Sequence, residues 1–333
     1  MRKYVIACLI IIAIVVAGFA VLSLTNLFSP PSSQTLPLTI GGPALETSGL
    51  IYIAEDQHYF DQNGLNITER MYDSGGATVG GVLNNDVDIG MMSEFVMANS
   101  ILEGENITSV GSIDKFDNMY LVGRKDRGTD TIPGLKGKII GIPEGTIADF
   151  YLGRFLELNR LNLSDITMVD VRPENTAGVI TNGTVDAVVT WHPYLDSIPG
   201  QNTGNITVWD IQSGQLTYWD AVCRADWVSG HQTEIERFLR SISEAEQFRE
   251  QHPAEADLII QRRLGYDDAY MATVVPVNQY SLSLDRGMMA AMKDEARWEM
   301  ENNLTNTTQI PDFPDYMYVN GLQTVAPGSV DLG

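Results

Sequence analysis

The chain has 333 residues, and 21 Lys and Arg against 43 Asp and Glu leave a formal charge of −22. A body this acidic repels a phosphate backbone and has no clustered basic face, which excludes nucleic-acid binding. Hydrophobic residues make up 44%, enough for a sizeable buried core, and at roughly 150 residues per domain the length suggests about two domains.

At the N-terminus, Arg2 and Lys3 precede an uncharged apolar run over residues 4–24. At about 1.5 Å rise per residue that run reaches roughly 30 Å, the thickness of a bilayer core. It predicts a transmembrane signal anchor over 1–24 with its basic end cytoplasmic, so that everything after it stands on the extracytoplasmic face of the membrane. The other reading is a signal peptide cut near Gly18 and Ala20. Residues 25–35 form a Pro/Ser-rich spacer around Pro30 and Pro31, of the kind that holds a domain off a surface. Asn-x-Ser/Thr acceptors stand at Asn66, Asn106, Asn162, Asn182, Asn205, Asn303 and Asn306, more than the two or three that chance gives at roughly this composition, and they mark candidate N-glycosylation sites. With Cys8 inside the apolar run, Cys223 has no partner for an intrachain disulfide in the exported part.

From Leu36 onward, short β-branched runs alternate with longer amphipathic stretches, the pattern of an α/β fold with mainly parallel strands. Strands are predicted over 36–40, 65–71, 87–91, 119–123, 138–142, 166–171, 185–190 and 220–224. Ser74-Gly75-Gly76, Ser93-Glu94 and Gly145-Thr146 each open a helix after a strand, since a Ser or Thr hydroxyl accepts an orphan amide proton of the first turn. Beyond Arg224 the prediction is helical, over 233–251, 253–264, 267–275 and 285–302.

Enzyme signatures are missing from this order: there is no phosphate-binding loop, dinucleotide fingerprint, nucleophile elbow or zinc-protease helix. His58, His192, His231 and His252 are scattered without metal-ligand spacing. Cys223, inside the apolar Ala221-Val222-Cys223, reads as a buried strand residue rather than a nucleophile. No catalytic residue, metal or cofactor is therefore expected. What the order supplies is a series of helix N-termini after strand C-terminal ends, the edge at which open α/β sheets bind ligands and where free amides attract an anion or polar acceptor.

The motifs, in sequence, resemble those of the solute-binding proteins of the nitrate, sulfonate, taurine and thiamine-pyrimidine class of ABC importers. The similar segments are Ser48 to Glu55 followed by Tyr59 to Leu65; Leu83-Asn84-Asn85-Asp86-Val87-Asp88-Ile89-Gly90; Leu135 to Thr146 around Leu-Lys-Gly-Lys; and Gly183-Thr184-Val185-Asp186-Ala187 running into Trp191-His192-Pro193-Tyr194. The resemblance continues through Phe238 to Ala256 and covers about residues 36–302.

It implies a type II periplasmic-binding-protein fold: two α/β lobes joined by two crossing strands, with a hinge and a ligand cleft. Lobe one would comprise 36–123 plus 221–302, lobe two 124–220, and 303–333 an extension packing back on the body. The implied function is capture of a small anion or heterocycle by cleft closure, and its delivery to an ABC permease and its ATPase, without covalent chemistry. Ligand contacts carried over from the resemblance are Pro43 and Ala44 after Gly42, the turn Ser74, Gly75 and Gly76, then Ser93 and Glu94, Gly145, Thr146 and Ile147, and Trp191 with His192. Trp191 would stack on a flat ligand, and His192 stands where relatives often carry an acid. Glu94 would bring a carboxylate to the cleft and favour an amino-bearing heterocycle over nitrate or sulfonate; the alternative is a solvated first-turn acid answering the helix dipole. Two other functions fit the same resemblance: a sensor ectodomain serving a separate signalling partner, and a thiamine-pyrimidine synthase-like enzyme, whose Cys-rich motif this sequence lacks.

Overall fold

A computed structural model of the protein describes residues 35–199 and 204–332. The predicted membrane segment, residues 4–24, and most of the spacer lie outside the described residues; among those described, no helix is long and apolar enough to cross a membrane.

Ten strands form two five-stranded sheets. The first holds β1 (Leu36–Gly42), β2 (Leu65–Met71), β3 (Ile89–Ser93), β4 (Ile107–Phe116) and β10 (Thr217–Arg224) in the order β2-β1-β3-β10-β4. The second holds β5 (Tyr120–Arg124), β6 (Ile139–Ile142), β7 (Thr167–Asp170), β8 (Ala187–Thr190) and β9 (Ile206–Asp210) in the order β7-β6-β8-β5-β9. Both sheets are mixed rather than mainly parallel. β1 runs parallel to β3, and β6 parallel to β7 and β8, but β10 is antiparallel to β3 and β4, and β5 is antiparallel to β8 and β9.

That mixture follows from the crossings. The chain leaves the first sheet after Phe116 and returns at Thr217, so β5 and β10 enter their sheets directly and not through a βαβ unit. Residues 120–123, assigned from sequence to the first lobe, therefore sit in the second sheet, and 217–220 sit in the first. Of the ten strands in these two sheets, two escaped the sequence reading. β4 carries Ser109, Gly111, Ser112, Asp114 and Lys115 and reads as polar, yet nine of its ten residues are buried. β9 is a short edge strand with no fully buried residue.

Helices cover the sheets, and one apolar cluster joins both halves. Phe150 and Tyr151 of the helix Ile147–Leu158 pack beside Phe95 of the helix Glu94–Leu102 and Trp298 of the helix Arg286–Glu301. Only glycine fits at position 153, because a Cβ there would lie 2.2 Å from the Trp298 ring. Arg154 pairs with Asp294 across the same seam. The four predicted C-terminal helices are present as Gln232–Gln251, Pro253–Leu264, Asp268–Val274 and Arg286–Glu301. The last segment wraps the body: Phe313 and Leu322 are buried, Met317 bridges to Ser109, and Val330 pairs with Leu284. All seven acceptor asparagines are exposed.

Candidate ligand-binding site

A small pocket of about 50 Å³ lies where the C-terminal ends of β1, β3, β6 and β8 face one another. Its walls are aromatic and aliphatic: Phe116, Trp191 and Trp219 with Leu45, Val96, Met119 and Ile147. Three helices point their N-termini at it, and each is capped by the residue that the sequence nominated. Ser74 Oγ accepts from the amide of Ala77, Ser93 Oγ from Val96, and Thr146 Oγ1 from Ala148.

Of the residues proposed from sequence, Pro43, Ser74, Gly75, Gly76, Ser93, Thr146, Ile147, Trp191 and His192 line the pocket together. Ala44 is exposed and is not part of the lining. Gly145 does not line the pocket, but its carbonyl closes the rim. A Cβ on Gly76 would lie 2.7 Å from that oxygen, so the two glycine turns, one from each sheet, touch only because position 76 has no side chain.

Glu94 is corrected. Its carboxyl is fully buried and faces Glu295 and Asp220, with only backbone amides near it, instead of the pocket. Burial, then the neighbouring acids, push it well above the ordinary carboxylate range, so it is neither a cleft carboxylate nor a solvated first-turn acid.

The carboxyl that does line the pocket is Glu46, in the short turn Glu46–Ser48 after β1. Asn118 Nδ2 donates to its Oε1 at 3.2 Å, and the hydroxyls of Tyr266 and Tyr270 donate to its Oε2 at 3.3 and 3.5 Å. Burial raises its pKa to about 7 despite these donors. Asn118 also ties the two sheets at the pocket floor, because its Oδ1 accepts the backbone amide of His192 at 3.1 Å. His192 is itself buried, with Nδ1 at 2.5 Å from Asp196 Oδ2 and its ring between those of Tyr120 and Tyr270. Among the described residues, Thr47 Oγ1 and the Nε1–H of Trp191 stand on the wall without a hydrogen-bond partner. Buried polar atoms of this kind are rare, and at a pocket wall they mark places where a ligand supplies the missing bond.

Glu46, Thr47 and Asn118 were missed from sequence. Glu46 and Thr47 stand between nominated segments, but Asn118 lies in the short irregular crossing 117–119, which carries no pattern. Cys223 is buried in β10, and burial lifts its thiol to about 12, as expected of a packing residue.

Comparison with known proteins agrees with this geometry. The model of the family described as NMT1/THI5 like matches residues 47–256, more than half of the chain. A Brucella abortus protein named as a candidate binding protein is 23% identical over 259 residues, covering 76% of this chain and 79% of its own. Among solved structures, the alkanesulfonate-binding protein of Xanthomonas axonopodis pv. citri bound to MOPS superposes with a TM-score of 0.73 at 16% identity, over 86% of this chain and 99% of that one. A desulfurization enzyme shares the fold with a TM-score of 0.59 at 14% identity, over 88% and 99%.

Proposed function

The chain belongs to the NMT1/THI5-like family, and from that premise we propose that it is an extracytoplasmic solute-binding protein of an ABC importer. It captures a small anion or heterocycle by cleft closure and delivers it to the permease and its ATPase, held at the membrane by the apolar segment 4–24. The exposed acceptor asparagines are its glycan sites on that face. The reading is of a receptor and not a catalyst.

One observation carries it. The pocket is assembled from two separate sheets whose rims meet at Gly76 and Gly145, so a solute inside touches both halves only when they are together. Binding then draws an open-to-closed equilibrium toward the closed form by the difference in contacts that the solute makes in each. The chain crosses between the sheets twice, at 117–119 and 211–216, and a pair of short crossings is where a hinge absorbs backbone rotation.

The test is a thermal-shift screen of the chain against nitrate, bicarbonate, taurine, alkanesulfonates, hydroxymethylpyrimidine, thiamine and riboflavin. A solute at about 100 times its Kd adds about 2.7 kcal/mol of stability, a shift of several degrees. Silence across that panel and a broad metabolite library removes the receptor reading.

A further inference from the structure

Resting on the receptor reading, one buried side chain stands where both halves and both crossings meet. Asn118, in the first crossing, reaches three ways. Its Nδ2 donates to Glu46 Oε1 at 3.2 Å, on the first-sheet side, and its Oδ1 accepts the backbone amide of His192 at 3.1 Å, on the second-sheet side. Its own backbone amide donates to Gln212 Oε1, in the second crossing, at 2.9 Å. The partners fix the orientation of the side chain, because the His192 amide can only donate and so must face the carbonyl oxygen. Glu46 is in turn anchored in its own half by its backbone amide and by the hydroxyls of Tyr266 and Tyr270.

Two ion pairs also join the halves, Asp73 with Arg172 at 3.6 Å and Asp294 with Arg154, but all four side chains are more than a third exposed. Pairs in that setting contribute little, whereas a buried hydrogen bond to a carboxyl contributes several times as much. We propose that Asn118 is a positioning residue for closure: its side-chain amide latches Glu46 of the first half to His192 of the second, and so sets the balance between open and closed forms before any solute arrives. Solute affinity then depends on Asn118 through the closed fraction, by the same factor for every solute.

The titratable groups around this latch come from several elements. Asp196 and Tyr194 face Glu46 from the turn after β8, where His192 lies against Tyr270, and Asp114 faces it from β4. Tyr52 approaches from the helix Gly49–Asp56, and Tyr266, Tyr270 and Tyr280 from the chain after the helix Pro253–Leu264. Burial holds all five tyrosines above the ordinary phenol range, so they stay neutral. Tyr266 and Tyr270 donate to Oε2 when Glu46 is ionised and can accept from it when Glu46 is protonated. The Asn118 bond to Oε1 is therefore kept in both states, and the wild-type latch holds on either side of neutrality.

Asn118→Asp keeps the shape of the side chain and its bond to the His192 amide, but sets a second carboxyl against Glu46. The bridge then forms only while the two carboxyls share a proton. The measurement is energy transfer between dyes at the exposed positions Asp61 and Thr167 of the unliganded full chain, at about pH 6 and about pH 9, on either side of that shared titration. In Asn118→Asp the ratio of closed to open molecules matches the wild type at the lower pH and falls about 5- to 150-fold below it at the higher. Asn118→Ser, too short to span the gap, lowers the ratio at both pH values and serves if the first variant does not fold. A pH-independent ratio in Asn118→Asp, or a wild-type ratio in Asn118→Ser, overturns the latch. So does a loss of affinity that differs from one solute to another, which would make Asn118 a direct contact in the pocket it lines. Each of these results leaves the receptor reading intact; that reading fails separately, when no solute binds the wild type.

Discussion

Gly76 and Trp191 are the residues at which the account is most exposed. A side chain at position 76 meets the Gly145 carbonyl before the rims can close, at an overpacking cost of about 1–3 kcal/mol. Gly76→Val should therefore raise the Kd of the solute about 5- to 150-fold, read by calorimetry, while the melting temperature of the unliganded chain moves by only a few degrees. A large loss of melting temperature with unchanged Kd would make Gly76 a core residue. Trp191→Phe keeps a smaller aromatic ring and removes the Nε1–H. The expected loss is about 0.5–1.5 kcal/mol of affinity from the donor, which has no partner among the described residues; any loss of stability measures the packing of the indole on the core cluster. The glycine turns, the caps and Trp191 were visible in the sequence because each leaves a local mark: a permissive residue, a hydroxyl before a helix, an aromatic after a strand. Glu94 was misplaced because a first-turn acid looks the same whether its carboxyl meets solvent or is driven under the sheet by the apolar residues around it.

Elements were easier to read than their partners. The C-terminal helices and most strands follow from amphipathic period and β-branched runs, but which sheet β5 and β10 join is decided by pairing across the crossings, over separations to which local patterns are blind. Those crossings are clamped by one side chain. Gln212 is buried, its Oε1 accepts the amide of Asn118 at 2.9 Å, and its Nε2 donates to the carbonyls of Phe116 and Gln215, each at 2.7 Å. Gln212→Ala leaves those backbone groups unpaired and should cost about 1–3 kcal/mol of stability, seen as a lower denaturation midpoint. Because it loosens both crossings at once, it should also shift the open-to-closed balance and weaken solute binding, although Gln212 lies outside the pocket lining. A variant that is destabilised but binds normally would mean that Gln212 is a fastener and not part of a hinge.

The whole molecule is strongly acidic and buries part of that acidity. Glu94 and Glu295 are pushed well above the usual carboxylate range by burial, Asp220 to about 8, and Asp149 and Glu299 to about 7. Each holds a proton in the folded protein at pH values where the unfolded chain has released it, so folding takes up protons. Their contribution is complete below the unfolded carboxylate range, near pH 4, and is lost as pH rises toward about 8, at about 1.4 kcal/mol per pH unit for each group within its window. The melting temperature should fall steadily from about pH 5 to about pH 8. A flat or rising profile would show that these acids are paired or hydrated in solution. Repulsion within the −22 charge acts in the same direction, and added salt separates the two because it screens surface charge and leaves buried acids unaffected. Above all these particulars stands closure of two halves on a solute. It is tested most directly by single-molecule energy transfer between dyes at the exposed positions Asp61, on the first-sheet side, and Thr167, in β7. A saturating solute should shift the population toward one high-transfer state in the wild type and leave Gly76→Val distributed as before; a distance that does not respond to any bound solute would contradict the account.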